Sequence, residues 1–323
     1  MESAAAFRVG ISFHTFVQDY ISFVYSFEDM MEMASVLGRG VEIVGPSNHR
    51  GFPEVTDEFE RTFKSGVDRY GLIPTCYGSY SDPFMLPDRD LTPAEMYEYL
   101  VPQLKGAAKL GFPVVRLQYF SHVIAEKLVA LAEKLDLKLG YELHTPLTLE
   151  SDTVAMLREQ IERIGSNRLG LIPDFGIFAR SISQHHLDQG RRAGVGEDLI
   201  ALAQELWATG TSKHDAVEAV QEAGGDERAV SWVNMLWGCF GRSDPAKLVE
   251  IRDHIVHCHG KFYSIVDGDE PDLRYEEVVK VLVDIGYTGW VSTEYEGGPT
   301  DTFTIAMAHQ EMMNRYIRKY AQK

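Results

Sequence analysis

Four short stretches of the chain each deliver side chains that can hold a cation or move a proton. Glu142 and His144 stand two apart in Lys138–His144, and His257, His259 and Lys261 alternate through and just past His254–His259. On an extended strand, residues two apart project from the same face. Asp174 ends Leu169–Asp174 just before Gly176, and Glu294 closes Thr288–Glu294. Glu142, Asp174 and Glu294 brought to one place would repel, each raising the others' pKa, unless a cation neutralised them. Three carboxylates with one imidazole form an oxygen-rich set, better matched to Mn²⁺ or Mg²⁺ with open octahedral positions than to a tetrahedral structural zinc. The nitrogen ligand favours Mn²⁺, with Mg²⁺ or Co²⁺ as alternatives. Taken singly, a Glu or His at a strand end is an ordinary cap or ion-pair partner; the signal is four such ends on consecutive strands.

Bringing those ends together requires a particular architecture. Strand-length apolar runs also occur earlier, at Arg8–His14, Gly40–Gly45, Leu72–Tyr77 and Pro113–Gln118. Amphipathic stretches lie between the runs, such as Pro93–Leu110, where Met96, Tyr99, Leu100 and Leu104 share a helical face, and Tyr275–Ile285. Eight strands, each followed by room for a helix, predict an α/β fold: a (β/α)8 TIM barrel in one domain over 1–323, with its site at the C-terminal strand ends. A doubly wound open sheet is the rival, but no GxGxxG follows the first strand and no GxxxxGK[ST] occurs. Successive strands are spaced by about 30 residues, whereas about 80 separate the sixth from the seventh. That excess predicts a helical insertion at about 178–250, with Asp198–Trp207, Lys213–Ala223 and Val230–Phe240 as helices and Trp207, Trp232, Met235 and Trp237 as a small core. Leaving from the face where active sites form, it is either a lid or partner surface, or an ornament.

Composition narrows the function classes. The 323 residues are 45% hydrophobic and 24% charged, ordinary for a soluble chain with a sizeable core. A formal charge of −17 sets the chain against phosphate backbones and anionic lipid surfaces, so neither nucleic acid nor a membrane is an expected partner. Cys76, Cys239 and Cys258 show no CxxC spacing, which argues against a disulfide framework and a thiolate zinc site. Met1–Arg8 lacks a signal-peptide pattern and no apolar run approaches ~18 residues, so a cytoplasmic protein is expected.

The segments Tyr141-Glu-Leu-His144, Pro173-Asp-Phe-Gly176, His257-Cys-His-Gly-Lys261 and Thr293-Glu-Tyr-Glu296 resemble the metal-binding strands of the xylose-isomerase-like sugar epimerase and isomerase superfamily. Its members are TIM barrels with Glu, Asp, His and Glu ligands on the last four strands. The resemblance implies Glu142, Asp174, His259 and Glu294 as metal ligands. The 32-residue step from Glu142 to Asp174 and the 35-residue step from His259 to Glu294 resemble those of ketose 3-epimerases. Two positions depart from that subgroup: Ile177 stands where it has a histidine, and Ile265 where it has an arginine. With His144, Lys261, the run from His259 to Tyr263 and the long insertion, the chain is most similar to α subunits of C-glycoside deglycosidases. Those subunits pair with a small β subunit, which implies a hetero-oligomer here.

The resemblance implies a 3-oxo-glycoside as the small-molecule substrate and a metal-polarised ketone. His144 would be the general base at C2, Lys261 would supply positive charge to an enolate oxygen, and the aglycone would leave C1 by β-elimination. His144 is alternatively a hydrogen-bonding support for a carboxylate, and Lys261 a counter-charge in an acidic mouth. His14, His49, Gln118 and His257 are candidates for binding substrate hydroxyls, His257 alternatively supporting a ligand from behind. An aglycone pocket is expected from Tyr77, Tyr80, Phe84, Phe120, the insertion or the partner subunit. The alternative function is a divalent-metal-dependent sugar isomerase or epimerase. A non-catalytic barrel would have no use for the ligand set, and the acidic charge disfavours a DNA-repair endonuclease.

Overall fold

The apolar runs pair as eight parallel strands: β1 (Arg8–Ser12), β2 (Gly40–Val44), β3 (Ile73–Gly78), β4 (Val114–Leu117), β5 (Lys138–Leu143), β6 (Leu169–Pro173), β7 (Cys258–Phe262) and β8 (Trp290–Tyr295). These belong to a computed structural model that describes residues 7–321; most of the N-terminal stretch read above for a leader lies outside the described residues. The strand order is β6-β5-β4-β3-β2-β1-β8-β7, and single parallel bridges, Leu171 to Ile255 and Asp174 to His259, join the two ends. The expected (β/α)8 barrel is what forms. In β2 all five residues are buried, so the apolar Val41 and Ile43 pack outward while the intervening Glu42 is sealed inside.

Helices form where caps and periodicity coincide. Pro93–Leu110 opens with a capping box between Thr92 and Glu95, carries proline in its first turn and stops at Gly111, whose φ of +86° is left-handed. It buries Met96, Leu100 and Leu104 as expected, with Tyr99 half-buried. Tyr275–Asp284 buries Tyr275, Val278, Val279 and Leu282. Among the described residues no helix is long and apolar enough to cross a membrane.

The seventh strand differs from expectation. It runs Cys258–Phe262 instead of His254–His259, because a 3₁₀ helix, Pro245–His254, occupies the preceding residues. Asp244 caps that helix by accepting the Ala246 N–H at 3.0 Å. The alternation of His257, His259 and Lys261 survives the shift, since the extended backbone begins at Ile255. Glu294 lies inside β8 instead of closing it, whereas His144 and Asp174 each stand one residue past their strands.

Four α-helices lie between β6 and β7: Gln184–Arg192, Glu197–Thr209, Lys213–Glu222 and Glu227–Cys239. Trp207 and Trp232 are buried, and the Trp232 indole donates to the His186 carbonyl at 2.9 Å. Met235 and Trp237 are only partly buried. These helices are bound to the barrel, with Phe178 bridged to Arg242 and the Tyr263 hydroxyl donating to the Cys239 carbonyl at 3.1 Å.

The last helix, Thr302–Ala321, seats His309 against the outside of β7 and β8. Its ring stacks on Phe262 at 4.2 Å, with Nε2 2.8 Å from the Tyr275 hydroxyl and Nδ1 3.1 Å from Thr293 Oγ1. Burial pushes its pKa down to about 3 from 6.5. Below pH 6.5 the unfolded chain binds a proton that the native site refuses, so this contribution to stability is complete above pH 6.5 and is lost as pH falls. His309→Gln should therefore flatten the fall in Tm between pH 7 and pH 5, measured by differential scanning calorimetry; an unchanged slope would refute the assignment.

Candidate metal centre

The ends of β5, β6, β7 and β8 bring Glu142, Asp174, His259 and Glu294 together, one ligand atom from each lying within 4.8 Å of all the others. Opposed ligands on a divalent ion with bonds of ~2.1 Å are ~4.2 Å apart, so this spread is that of one coordination sphere. Nδ1 of His259 lies 2.6 Å from Glu142 Oε1 and 3.5 Å from Glu294 Oε2. Asp174 Oδ1 accepts the Gly176 N–H at 2.6 Å, which leaves Oδ2 buried with no hydrogen bond. A Cβ on Gly176 would sit 2.9 Å from Asp174 Oδ1 and 3.0 Å from Lys261 Cδ, so the close turn requires glycine. A buried carboxylate oxygen with no hydrogen bond and a single ion-pair neighbour, in a largely buried set of three oxygens and one nitrogen, fits a divalent cation.

The electrostatics agree. Burial pushes the Glu294 carboxyl up, partly offset by the His259 charge. Burial would also drive His259 down, but Glu42, Glu294 and Glu142 together raise it well above the ordinary imidazole range. Glu142 would rise on burial too; Arg116, its Nη1 3.5 Å from Oε2, and His259 hold it well below the usual carboxylate range. The imidazolium thus serves as a cation for the carboxylates, a role a metal ion takes over by displacing the proton.

Around this cluster, Lys261 is sealed between Asp174 Oδ2 at 3.2 Å and Glu296 Oε2 at 3.1 Å. Glu296 also lies 3.5 Å from His14 Nε2, and both line a cleft of about 520 Å³ with Asp19, Tyr295 and Thr302. His144 is half-buried, its Nδ1 2.6 Å from the Thr145 carbonyl oxygen, and close enough that its charge lowers Glu142 and Glu296.

Of the residues considered for substrate, the structure sets only His14 on this cleft. His257 lies below the cluster, wholly buried, with Nε2 3.2 Å from Glu42 and 2.8 Å from Ser292 Oγ. Gln118 accepts the Ser81 N–H at 2.8 Å. His49 and Tyr77 lie together away from this cleft: alternation in β3 points Cys76 inward and Tyr77 outward. There the Tyr77 hydroxyl lies 2.9 Å from His49 Nε2, among the rings of Phe52, Phe59 and Phe112. Phe84 is exposed and packs edge-on to Phe120, while Tyr80 is half-buried. Ile177 is fully buried and Ile265 half-buried against the core. Sequence reasoning passed over Glu42, Arg116 and Glu296. The first two are single charges inside apolar strands, a pattern that signals a paired interior group.

Residues 32–316 match a family described as a xylose isomerase-like TIM barrel. The chain belongs to that family. Its curated relatives include the 3'-dehydrocarminate deglycosidase alpha subunit of a Microbacterium species, 36% identical over 99% of this chain and 97% of that one. Another is a C-glycoside deglycosidase alpha subunit of Arthrobacter globiformis, 29% identical over 98% and 94%. Among solved structures, an L-ribulose 3-epimerase superposes with a TM-score of 0.60 at 13% identity, covering 98% of this chain and 96% of that one. The last is a likeness of fold alone.

Metal binding by the native state raises stability by RT ln(1 + [L]/Kd), about 2.7 kcal/mol at a hundredfold excess over Kd. Adding Mn²⁺ to the metal-free chain should raise Tm by several degrees, and Glu294→Gln should abolish the gain; an equal gain in the variant would exclude Glu294 as a ligand.

Proposed function

We propose that the chain is the α subunit of a C-glycoside deglycosidase, a carbon–carbon lyase that releases the aglycone from a 3-oxo-glycoside. The observation that carries this reading is the 36% identity to a deglycosidase alpha subunit over 99% of the chain, a relative named for a dehydro substrate. Glu142, Asp174, His259 and Glu294 would hold a divalent cation, Mn²⁺ by preference, whose chemistry is to polarise the substrate ketone.

The chain's own residues supply the rest. With Nδ1 donating to the Thr145 carbonyl, His144 keeps a free lone pair on Nε2, the arrangement required of a general base. It takes the proton from C2. The C–H electrons first delocalise toward the C3 oxygen; they then return to form the C1–C2 double bond as the C1–aglycone bond breaks, its pair going to the aglycone carbon, which takes up a proton. Lys261, fixed by Asp174 and Glu296, keeps its charge and offers it to the oxygen on which negative charge develops. His14 and Glu296 bind substrate hydroxyls at the cleft. The four α-helices between β6 and β7 would be an insertion beside the mouth, a placement supported by His185 packing against Gly298 of the cleft. The names of the relatives support a partner subunit, in this reading a small β subunit, and three free cysteines suit a cytoplasmic enzyme.

The test is mass spectrometry of a 3-oxo-C-glucoside incubated with the manganese-loaded chain, alone and with a small β subunit. Released aglycone plus an unsaturated sugar is the expected result; an isomerised sugar of unchanged mass would replace elimination by the isomerase or epimerase reading. His144→Ala should retain metal and lose ~10²–10⁴ in kcat, whereas Glu142→Gln should lose both metal and turnover. Near-normal rates in His144→Ala would remove it as the base.

A further inference from the structure

Beneath the ligand cluster lies a carboxylate to which the proposed reaction assigns no role. Glu42 is in the middle of β2 and fully buried, at 0% exposure. At ion-pair distance it meets two histidines: Oε1 is 3.0 Å from His259 Nε2, and Oε2 is 3.2 Å from His257 Nε2. His259 Nε2 and Glu42 Oε1 make no well-aligned hydrogen bond although they lie 3.0 Å apart, and Cys76 is the other neighbour of the His259 ring. His257 is anchored in turn by Ser292 Oγ at 2.8 Å.

We propose that Glu42 is the positioning residue of the metal site, holding the proton of His259 on Nε2 so that Nδ1 is the metal ligand. The proposal rests on reading Glu142, Asp174, His259 and Glu294 as that site. An imidazole ligand is neutral and carries one proton, on the nitrogen that faces away from the metal. Nδ1 of His259 faces Glu142 and Glu294, so Nε2 holds the proton, and of its two neighbours Glu42 Oε1, a carboxylate at 3.0 Å, is a far stronger acceptor than the Cys76 sulfur. A small rotation of the carboxylate makes the two orphaned atoms into one charge-assisted hydrogen bond. Glu42 thereby fixes the tautomer and the ring plane, and its negative charge strengthens the ligand. His257, bonded to the other oxygen, keeps the carboxylate from turning away.

Cys76 Sγ also lies within 4.8 Å of Glu42 and His257 ligand atoms, a grouping that is itself a possible second cation site. The hydrogen bonding just described accounts for Glu42 and His257 without an ion, and the test separates the two.

The test compares the wild-type full chain with Glu42→Gln, which keeps shape and a carbonyl oxygen but removes charge, and His257→Gln, which leaves the Glu42–His259 pair in place. Zn²⁺ and Mn²⁺ affinities are measured by chelator competition, alongside the Tm of each metal-free chain. Glu42→Gln should bind metal roughly 10–100-fold more weakly with a cooperative unfolding transition retained, and His257→Gln should lose less. Independently of any variant, long-range ¹H–¹⁵N spectra of the wild-type Zn²⁺ form should show His259 protonated on Nε2. Unchanged affinity in Glu42→Gln, or a proton on Nδ1, would overturn the proposal while leaving the metal site standing. Two ions per chain, one of them lost in Cys76→Ser, would overturn it in favour of a second site. No metal binding by the wild-type chain would remove the underlying site and this proposal with it.

Discussion

Neutralising carboxylates gathered in and around the barrel interior is the constraint on which this architecture depends. Glu42, Glu142, Asp174, Glu294 and Glu296 converge on the centre and mouth of the barrel, and the groups facing them are Lys261, Arg116 and His259. A buried ion costs several kcal/mol unless it is paired, so carboxylates this close are tolerable only with cations interleaved. Exchanging the His259 proton for a divalent ion adds one positive charge where the repulsion is greatest. It also gives Asp174 Oδ2, which has no hydrogen bond and only Lys261 beside it, a second cation. The opposed directions of Glu294, raised, and Glu142, lowered, follow from distance to the same cations: Arg116 reaches Glu142, whereas burial dominates at Glu294.

The parallel barrel makes that constraint satisfiable because its ladder sets neighbours in register. Lys261 pairs with Glu294 across β7 and β8, and Glu142 with Ile172 across β5 and β6. The bridge between Asp174 and His259 does two things at once: it helps close the barrel at its last seam, and it sets two candidate ligands side by side. The site is therefore a consequence of closure, and a barrel that failed to close between β6 and β7 would have half a ligand set on each side of a gap.

The period-two spacing made the inward sets on β5 to β8 legible from sequence, since alternation survives errors in strand ends. The β7 boundary was misplaced by four residues, yet His259 and Lys261 still project where the alternation puts them. Tyr77 shows the same rule in reverse. One residue of register decides inside from outside, and Tyr77 follows the inward Cys76. Glu42 and Arg116 were unread because each is one charge in a strand whose apolar neighbours dominate the pattern. Their partners come from strands distant in sequence, Glu42 finding its histidines 215 and 217 positions later. Pairings of that range are set by tertiary closure, which no local window contains.

The seam between β6 and β7 also gives the intervening helices a physical task. Other neighbouring strands share ladders of paired residues, whereas this pair is joined by isolated bridges and by the Val256 N–H donating to the Leu171 carbonyl at 3.0 Å. The helical segment braces the seam at both ends. At its start Phe178 bridges Arg242 and the Ser243 N–H donates to the Ile177 carbonyl at 2.8 Å, immediately beyond Asp174. At its return the His254 carbonyl packs so tightly over Gly170 that a Cβ there would lie 2.3 Å from the oxygen. Tyr263, two residues past Lys261, ties the end of β7 to Cys239 and packs against the rings of His186 and Phe240. Loosening this segment would first move Asp174 and Lys261 relative to His259, so its packing bears on the ligand geometry although none of its side chains belongs to the four-residue cluster.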